Sequence, residues 1–232
     1  MWAEDLVNKA HESLLESPDT LEKLWARGAS NDQIQSFSLG VLTEGLPCEC
    51  DPAFVAWFKR GAPLEEAWVF PLTNTLGKVR GFQFRSTCPE RKGYRTYLIS
   101  KEEVALFGLA QTMSFIWASR QVFLVEGVFD VFPVQRVLPW VLPTLTANVG
   151  VDLFRLLKRF VEAVWIGYDA DSSGRRGAKH VATMFRNVGI STHVVNFPAL
   201  PSAGVKDPSE LWGAWGSPRF EQFLKECCDG YF

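Results

Sequence analysis

The hydrophobic and polar positions of the chain follow two different rhythms. In the first quarter of the chain, apolar residues such as Leu6, Ala10 and Leu14 recur at helical spacing, and polar breaks separate several short helices. From 67 to 98, apolar and polar residues alternate as in strands, and 74–77 form the predicted turn of a hairpin. The amino-terminal half is therefore predicted to be a smaller, mixed α+β subdomain.

After Gln121, short apolar runs alternate with amphipathic stretches. The predicted elements are, in order, a strand over 122–125, a helix over 129–138, a strand over 141–145, a helix over 152–160, a strand over 163–168, a helix over 177–188, a strand over 192–196 and one or two closing helices over 207–228. This alternation predicts an α/β fold, in which a mostly parallel sheet is flanked by helices and joined by right-handed crossovers. The predicted domains are an amino-terminal subdomain (1–118), a sheet domain (119–204) and a helical segment (205–232).

Two of the predicted strands run directly into acidic residues. The first ends at Glu126, with Asp130 close behind, and the second ends at Asp169 and Asp171. Ligands of open α/β sheets bind beyond the carboxyl ends of the strands, and two aspartates spaced by two residues can share one divalent cation. A single acidic residue here is best explained as a helix cap, but an ordered set of four predicts a metal site.

Composition narrows the class of protein. The formal net charge is −2 and 47% of the residues are hydrophobic, which argues against a uniformly basic nucleic-acid coat and against disorder. No apolar run approaches the ~20 residues of a membrane span, and the amino terminus lacks the basic start and apolar core of a signal peptide. The expectation is a cytoplasmic protein with no membrane partner.

The five cysteines form neither an even disulfide framework nor a pair of CxxC motifs. Reduced thiols are expected. A zinc site made by Cys48 and Cys50 with Cys227 or Cys228 is the alternative, but one intervening residue is a poor spacing for structural zinc. No structural zinc is therefore expected.

The acidic residues and their neighbouring glycines resemble, in order and spacing, the Toprim domain that DnaG-type primases share with topoisomerases and some nucleases. Further segments resemble the DnaG-type primase catalytic core in particular: 27–40, which begins Arg27-Gly28, then 77–85, 97–100, 106–109 and 205–208. Together they extend from about 21 to 211, nearly the whole chain. Other Toprim enzymes lack the amino-terminal segments, so the resemblance is to a primase catalytic core.

The resemblance implies roles for individual residues. The implied catalytic residues are Glu126, Asp169 and Asp171, and the implied metal ligands are Glu126, Asp130, Asp169, Asp171 and Asp207. The implied nucleic-acid and nucleotide contacts are Lys78, Arg80, Arg85, Arg95, Tyr97, Lys101 and Arg175. Basic side chains interleaved with tyrosines suit single-stranded nucleic acid, although such a strand is more often simply a solvated face.

The resemblance also implies an activity and partners. The implied enzyme is a primase-type DNA-directed RNA polymerase, which makes short RNA primers on single-stranded DNA from ribonucleoside triphosphates. It would use Mg²⁺ or Mn²⁺, with the number of ions left open and two or more among the options, and a replicative helicase is a candidate partner. The absence of a zinc module and of an ATPase motif from the sequence leads us to expect a phage or mobile-element protein, acting in the host cytoplasm, or an excised domain.

Some positions depart from the family pattern. Ser209 stands where the family usually has a second acid after Asp207, and the family's Leu-Gly-Thr loop is Leu145-Thr146-Ala147 here. Two alternatives therefore stay open. Besides the primase, these are a Toprim nuclease or other phosphotransferase that uses the same carboxylates, and a non-catalytic Toprim module that binds DNA or a replisome partner.

Overall fold

A computed structural model describes residues 2–60, 64, 66–88, 90–91, 93–100, 102–200 and 204–228. The chain divides into two compact units. The first comprises Met1–Trp25 and Ser30–Gln111, and the second comprises Ala26–Ala29 and Thr112–Phe232. The short segment Ala26–Ala29 thus belongs to the second unit, although it lies early in the sequence. The domain boundaries predicted at 118 and 204 stay predictions.

The first unit combines helices with an antiparallel sheet. Its elements are α1 (Trp2–Leu15), α2 (Pro18–Trp25), α3 (Asn31–Ser36), β1 (Gly40–Leu42), α4 (Pro52–Lys59), β2 (Ala67–Thr73), β3 (Val79–Ser86) and β4 (Tyr94–Leu98). The strands lie in the order β1-β2-β3-β4, with antiparallel pairing throughout. Helix α1 packs closely on β1, because a Cβ added to Gly40 would lie 2.6 Å from the Cβ of Ala10. The apolar positions predicted to face a core, Leu6, Ala10 and Leu14, are fully buried.

The boundary between the units falls within α5 (Leu109–Ser119). The later elements are β5 (Gln121–Val125), α6 (Val128–Gln135), β6 (Val141–Pro143), α7 (Val151–Leu157), β7 (Ala163–Gly167), α8 (Ser172–Arg186), β8 (Ser191–Val194), α9 (Pro208–Trp215) and α10 (Ser217–Cys227). The strands form a parallel sheet in the order β6-β5-β7-β8. The predicted α/β class, with a parallel sheet flanked by helices and an antiparallel sheet before it, is confirmed.

The main local difference from the sequence-based prediction is the start of α8. This helix begins at Ser172, not at Gly177, because the carboxylate of Asp171 accepts hydrogen bonds from the backbone N–H groups of Ser173 and Gly174. Capping by Asp171 allows the helix to begin directly after the acidic pair, even through a stretch of serine and glycine. No helix in the described part of the chain is long and apolar enough to cross a membrane.

Candidate metal centre and catalytic residues

The parallel sheet brings the two acidic strand ends side by side. Strands β5 and β7 are neighbours, and Val125 pairs with Gly167, so Glu126 follows one strand while Asp169 follows the other by two residues. Asp171 caps α8 and Asp207 caps α9. Glu126, Asp169, Asp171 and Asp207 each raise the pKa of a neighbouring carboxyl group. The pKa of Asp130 is itself raised by Asp207 and Asp169, so the structure gathers all five predicted metal ligands into one acidic cluster.

Asp130 is the most deeply placed member of the cluster. Its side chain lies on the first turn of α6, where Oδ2 accepts a hydrogen bond from the backbone N–H of Gly127 at 3.0 Å and Oδ1 accepts one from the backbone N–H of Ser209 at 3.2 Å. Burial, followed by repulsion from Asp207 and Asp169, raises the pKa of Asp130 well above its usual range. Asp130 therefore joins the start of α6 to the start of α9.

Glu126 and Asp169 are held in a partly desolvated environment. Burial and then the charge of Asp171 raise the pKa of Glu126, and one of its oxygens, Oε2, is buried without a hydrogen-bond partner. Burial, followed by the charges of Glu126 and Asp207, raises the pKa of Asp169 to about 7. Both carboxyl groups are short of compensating positive charge.

Asp171 behaves differently, because the amino end of α8 stabilises its charge. The hydrogen bond from the backbone N–H of Gly174 is the largest influence and lowers the pKa of Asp171. Lys206 lies beside the pair, with its Nζ 3.5 Å from Oδ2 of Asp171 and 3.6 Å from Oδ2 of Asp169. Burial alone would lower the pKa of Lys206, but the two aspartates outweigh it and the pKa is raised. Lys206 supplies part of the positive charge that this cluster needs.

In the first unit, two of the predicted nucleic-acid contacts lie on β3. Arg80 forms an ion pair with Glu103, with Nη2 and Oε1 2.7 Å apart. Arg85 donates a hydrogen bond to the hydroxyl of Tyr94 at 2.7 Å, and its guanidinium lies 4.9 Å from the centre of that ring. This arginine–tyrosine pair presents a cation and an aromatic ring together on the β3–β4 hairpin.

The other predicted contacts differ in accessibility. Arg95 donates hydrogen bonds to the carbonyl oxygens of Trp57, Phe58 and Arg60. Much of the hydrogen-bonding capacity of its guanidinium is therefore used at the end of α4. The ring of Tyr97 lies 4.9 Å from that of Phe54 and is packed against the hydrophobic core of this unit. Lys78 and Arg175 are exposed, and Lys101 lies outside the described residues.

Comparison with known proteins finds a family model that matches the part of the chain containing the acidic cluster. Residues 123–212, which contain all five acidic residues, match the family model of Toprim-like domains. This segment of the chain is similar to Toprim-like domains. The family resemblance inferred from the sequence is confirmed. An origin in a phage or mobile element stays a prediction.

The relatives of this chain are primases. A DNA primase of Aquifex aeolicus is 28% identical over 164 residues, which is 67% of this chain and 31% of that protein. A DNA primase of Clostridium acetobutylicum is 25% identical over 164 residues, which is 68% of this chain and 26% of that protein. The matched region thus spans about a third or less of the length of these relatives.

The fold extends the likeness to nearly the whole chain. The zinc-binding and RNA polymerase domains of Aquifex aeolicus primase align with a TM-score of 0.76 and 22% identity, over 97% of this chain and 60% of that one. The Escherichia coli primase catalytic core aligns with a TM-score of 0.74 and 21% identity, over 97% and 79%. A DnaG catalytic domain bound to single-stranded DNA aligns with a TM-score of 0.71 and 21% identity, over 97% and 77%. The fold is that of the DnaG primase catalytic core.

The acidic cluster of the Toprim-like domain fits a hard divalent cation in its chemistry. Carboxylate oxygens are the ligands that Mg²⁺ prefers. The Oε2 of Glu126 is buried without a hydrogen-bond partner, so a cation or a hydrogen-bond donor would stabilise it. Among the described residues, no three His, Cys, Asp or Glu side chains are already arranged around one metal position. A cation would therefore have to draw the carboxylates of the cluster together.

Three neighbours of the cluster were not among the site residues predicted from the sequence. Lys206 is adjacent to Asp207 in sequence, and that adjacency to an expected ligand was the available signal. The hydroxyl of Ser209 and the guanidinium of Arg27 also reach the Toprim-like cluster, where Arg27 donates to Ser209 and Ser209 donates to Asp207. Arg27 is 182 positions from Ser209, so local pattern carried no information about their contact.

A small cavity lies beside the carboxyl ends of β7 and β8 in the Toprim-like domain. Its volume is about 110 Å³, and it is lined in part by Asp169, Arg175, Lys179 and Asn196. Positive and amide side chains thus adjoin one side of the acidic cluster. The rest of the lining is largely apolar and includes Ala170, Ala178, Val194, Val195 and Phe197.

Proposed function

We propose that this chain is the catalytic core of a DNA primase, which makes short RNA primers on single-stranded DNA. The observation that carries the proposal is the cluster of five carboxylates formed by the ends of β5 and β7 and the starts of α6, α8 and α9, in a chain that has the DnaG core fold over 97% of its length. Primases among its relatives and a DnaG domain bound to single-stranded DNA support the substrate class. The reaction joins a 3′ hydroxyl oxygen to the α-phosphorus of a ribonucleoside triphosphate and releases pyrophosphate.

In this proposal, Glu126, Asp169, Asp171 and Asp207 hold Mg²⁺ or Mn²⁺, with Asp130 in support. The bound cations would neutralise phosphate oxygens and lower the barrier to displacement at phosphorus. Glu126 is half-buried and its pKa is raised, so its carboxylate is a stronger base toward the proton of the attacking hydroxyl than that of an exposed glutamate. Lys206, which is paired with both aspartates, and Arg175, which lines the cavity beside Asp169, would bind triphosphate oxygens.

The first unit would bind the template. Arg85 with Tyr94 offers a cation and a stacking surface, which single-stranded DNA uses through its phosphates and bases. Exposed Lys78 adds charge, while Arg80, Arg95 and Tyr97 shape the same hairpin through their own contacts. A replicative helicase as partner and a cytoplasmic location follow only from the likeness to primases and are part of the proposal.

The first prediction tests the activity directly. Purified protein with single-stranded DNA, labelled ribonucleoside triphosphates and Mn²⁺ or Mg²⁺ is expected to yield RNA of primer length. Glu126→Gln is expected to lower the yield by at least ~100-fold, because general acid–base groups contribute factors of this size. Glu162→Gln is the matched control, since Glu162 is exposed and paired with Arg120 away from the cluster.

Different products would distinguish the alternatives. Shortening of the DNA, lost in Glu126→Gln, would show a Toprim nuclease in place of a primase. Metal-independent DNA binding with neither product would show a non-catalytic module. Primer synthesis that survives Glu126→Gln would contradict the assigned role of Glu126.

A further inference from the structure

The hydroxyl of Ser209 lies at the junction of three groups in the Toprim-like domain. Its oxygen accepts a hydrogen bond from Nη1 of Arg27 at 2.9 Å, and the hydroxyl donates to Oδ1 of Asp207 at 2.8 Å. The backbone N–H of the same residue donates to Oδ1 of Asp130 at 3.2 Å. Ser209 is 1% exposed, so these bonds are made in a nearly dry environment.

The arginine determines the direction of the hydroxyl proton. A guanidinium group has only donors, whereas a hydroxyl has one proton and two lone pairs. Arg27 therefore binds a lone pair of the Ser209 oxygen, and the single proton remains for the carboxylate of Asp207. The hydrogen bonds are thus donated in one direction, from Arg27 to Ser209 and from Ser209 to Asp207.

The carboxylate of Asp207 is consequently held in one orientation. Its Oδ1 receives two donors, the hydroxyl of Ser209 and the backbone N–H of Glu210 at 2.7 Å. Its Oδ2 has no donor among the described residues. With Oδ1 occupied in this way, Oδ2 is the oxygen left for a cation.

We propose that Ser209 is a positioning residue which, directed by Arg27, orients Asp207 toward the metal in the acidic cluster. This rests on the proposed metal centre but concerns a residue that is not itself one of the proposed metal ligands. The neutral hydroxyl of Ser209 contributes geometry and no negative charge. Arg27 acts on Asp207 through this hydroxyl.

The surroundings keep Arg27 in place for this role. Its guanidinium carbon lies 4.8 Å from the centre of the Phe129 ring on α6. The next residue, Gly28, has a φ of +86°, and a Cβ there would lie 3.1 Å from the Cβ of Pro133. Arg136 donates to the carbonyl oxygen of Gly28 at 3.2 Å. Residues of α6 and its C-cap, Arg136, thus fix the turn that carries Arg27.

Removing the hydroxyl alone separates positioning from helix capping. Ser209→Ala keeps the backbone N–H that binds Asp130 and keeps the bond from the backbone N–H of Glu210 to Asp207. The start of α9 therefore stays capped, and only the constraint on Asp207 is lost. Partners that orient a metal ligand typically contribute 10–100-fold to metal affinity.

The experiment measures Mn²⁺ binding to the full chain by electron paramagnetic resonance. Ser209→Ala is expected to weaken Mn²⁺ affinity by roughly 10-fold or more, and Arg27→Met by a similar factor. The Mn²⁺ affinity of the double variant is expected to be no lower than that of the weaker-binding single variant, because the two residues act through the same series of hydrogen bonds. Ser209→Thr, which retains a hydroxyl, is expected to recover most of the affinity. Ser217→Ala is the control, because the hydroxyl of Ser217 binds the carboxylate of Glu221 at the start of α10, away from the cluster.

Unchanged Mn²⁺ affinity in folded Ser209→Ala, or additive losses in the double variant, would overturn the proposal. If Ser209→Ala does not fold, Arg27→Met alone decides, and wild-type affinity in that variant would overturn it. Mn²⁺ binding that depends on Ser209 in a protein without primer synthesis would refute the primase function but support the positioning role. Wild-type protein that binds no Mn²⁺ would overturn both.

Discussion

The pKa of Asp169 shows most clearly how burial and neighbouring charges act together. Its pKa is raised to about 7 by burial, Glu126 and Asp207, compared with ~3.9 for a free aspartate. Lys206 reduces the effect but does not cancel it. The folded chain therefore binds this proton more tightly than the unfolded chain does, and losing the proton destabilises the fold.

The metal-free protein is therefore expected to lose stability as pH rises. The stabilising proton is fully bound below the unfolded pKa near 4 and is lost as pH rises through about 7. Between pH 5 and pH 8 this corresponds to roughly 2–3 kcal/mol, at ~1.4 kcal/mol per pKa unit. Denaturant unfolding in EDTA at several pH values measures this change in the free energy of unfolding. Asp169→Asn is expected to reduce its pH dependence. Asp152→Asn, at an exposed residue paired with Arg155, is the control. Equal pH dependence in wild type and Asp169→Asn would show that this carboxyl group is not the cause.

At the scale of elements, the first turn of α8 packs unusually closely on the end of β7. A Cβ added to Gly174 would overlap the carbonyl oxygen of Asp169, and one added to Gly177 would overlap the carbonyl oxygen of Ala147. Glycine at these two positions lets the helix approach the strand end and the following loop. The close approach places Asp171, the cap of this helix, beside Asp169.

Gly174→Ala is therefore expected to displace the aspartate pair. Overpacking of this kind costs about 1–3 kcal/mol of unfolding free energy, and Mn²⁺ affinity is expected to fall as well. The matched control is Gly150→Ala, because nothing lies within 4 Å of a Cβ added there and Gly150 has a φ of −62°. Thermal unfolding and Mn²⁺ titration of both variants provide the test. Similar effects of the two substitutions would show that close packing at α8 is not important.

At the scale of the whole molecule, sequence order and structural units do not coincide. Ala26–Ala29 lie between α2 and α3 of the first unit but belong to the second. The contacts of Arg27 with Ser209 and of Gly28 with Arg136 explain this assignment. Ligand binding at the acidic cluster is therefore expected to stabilise this early segment as well.

Hydrogen exchange with mass spectrometry can detect this link. Mn²⁺ is expected to slow exchange in α6, in α9 and in the peptide covering 26–29, because binding stabilises the unit to which they belong. The amides of α1 and β2, in the first unit, are expected to change much less. Protection of α9 without any change at 26–29 would contradict the assignment of this segment.

Much of this protein could be predicted from its sequence. Strand and helix periodicity is local, so the α/β class and the parallel sheet were predictable, and so was the position of Glu126, Asp169 and Asp171 at strand ends. The start of α8 was predicted too late, because the glycines and serines of its first turn have low helix propensity and the cap at Asp171 outweighs it.

Only the tertiary structure decided how these residues cooperate. The bond between Ser209 and Asp130 joins positions 79 apart, and the bond between Arg27 and Ser209 joins positions 182 apart. Contacts over such separations depend on how helices pack on the sheet, which neither periodicity nor a short motif encodes. The burial that raises the pKa of Asp130 and Asp169 likewise exists only once the chain has folded. The sequence by itself thus determined which carboxylates meet at the sheet edge, and the tertiary structure decided their charge and their supporting hydrogen bonds.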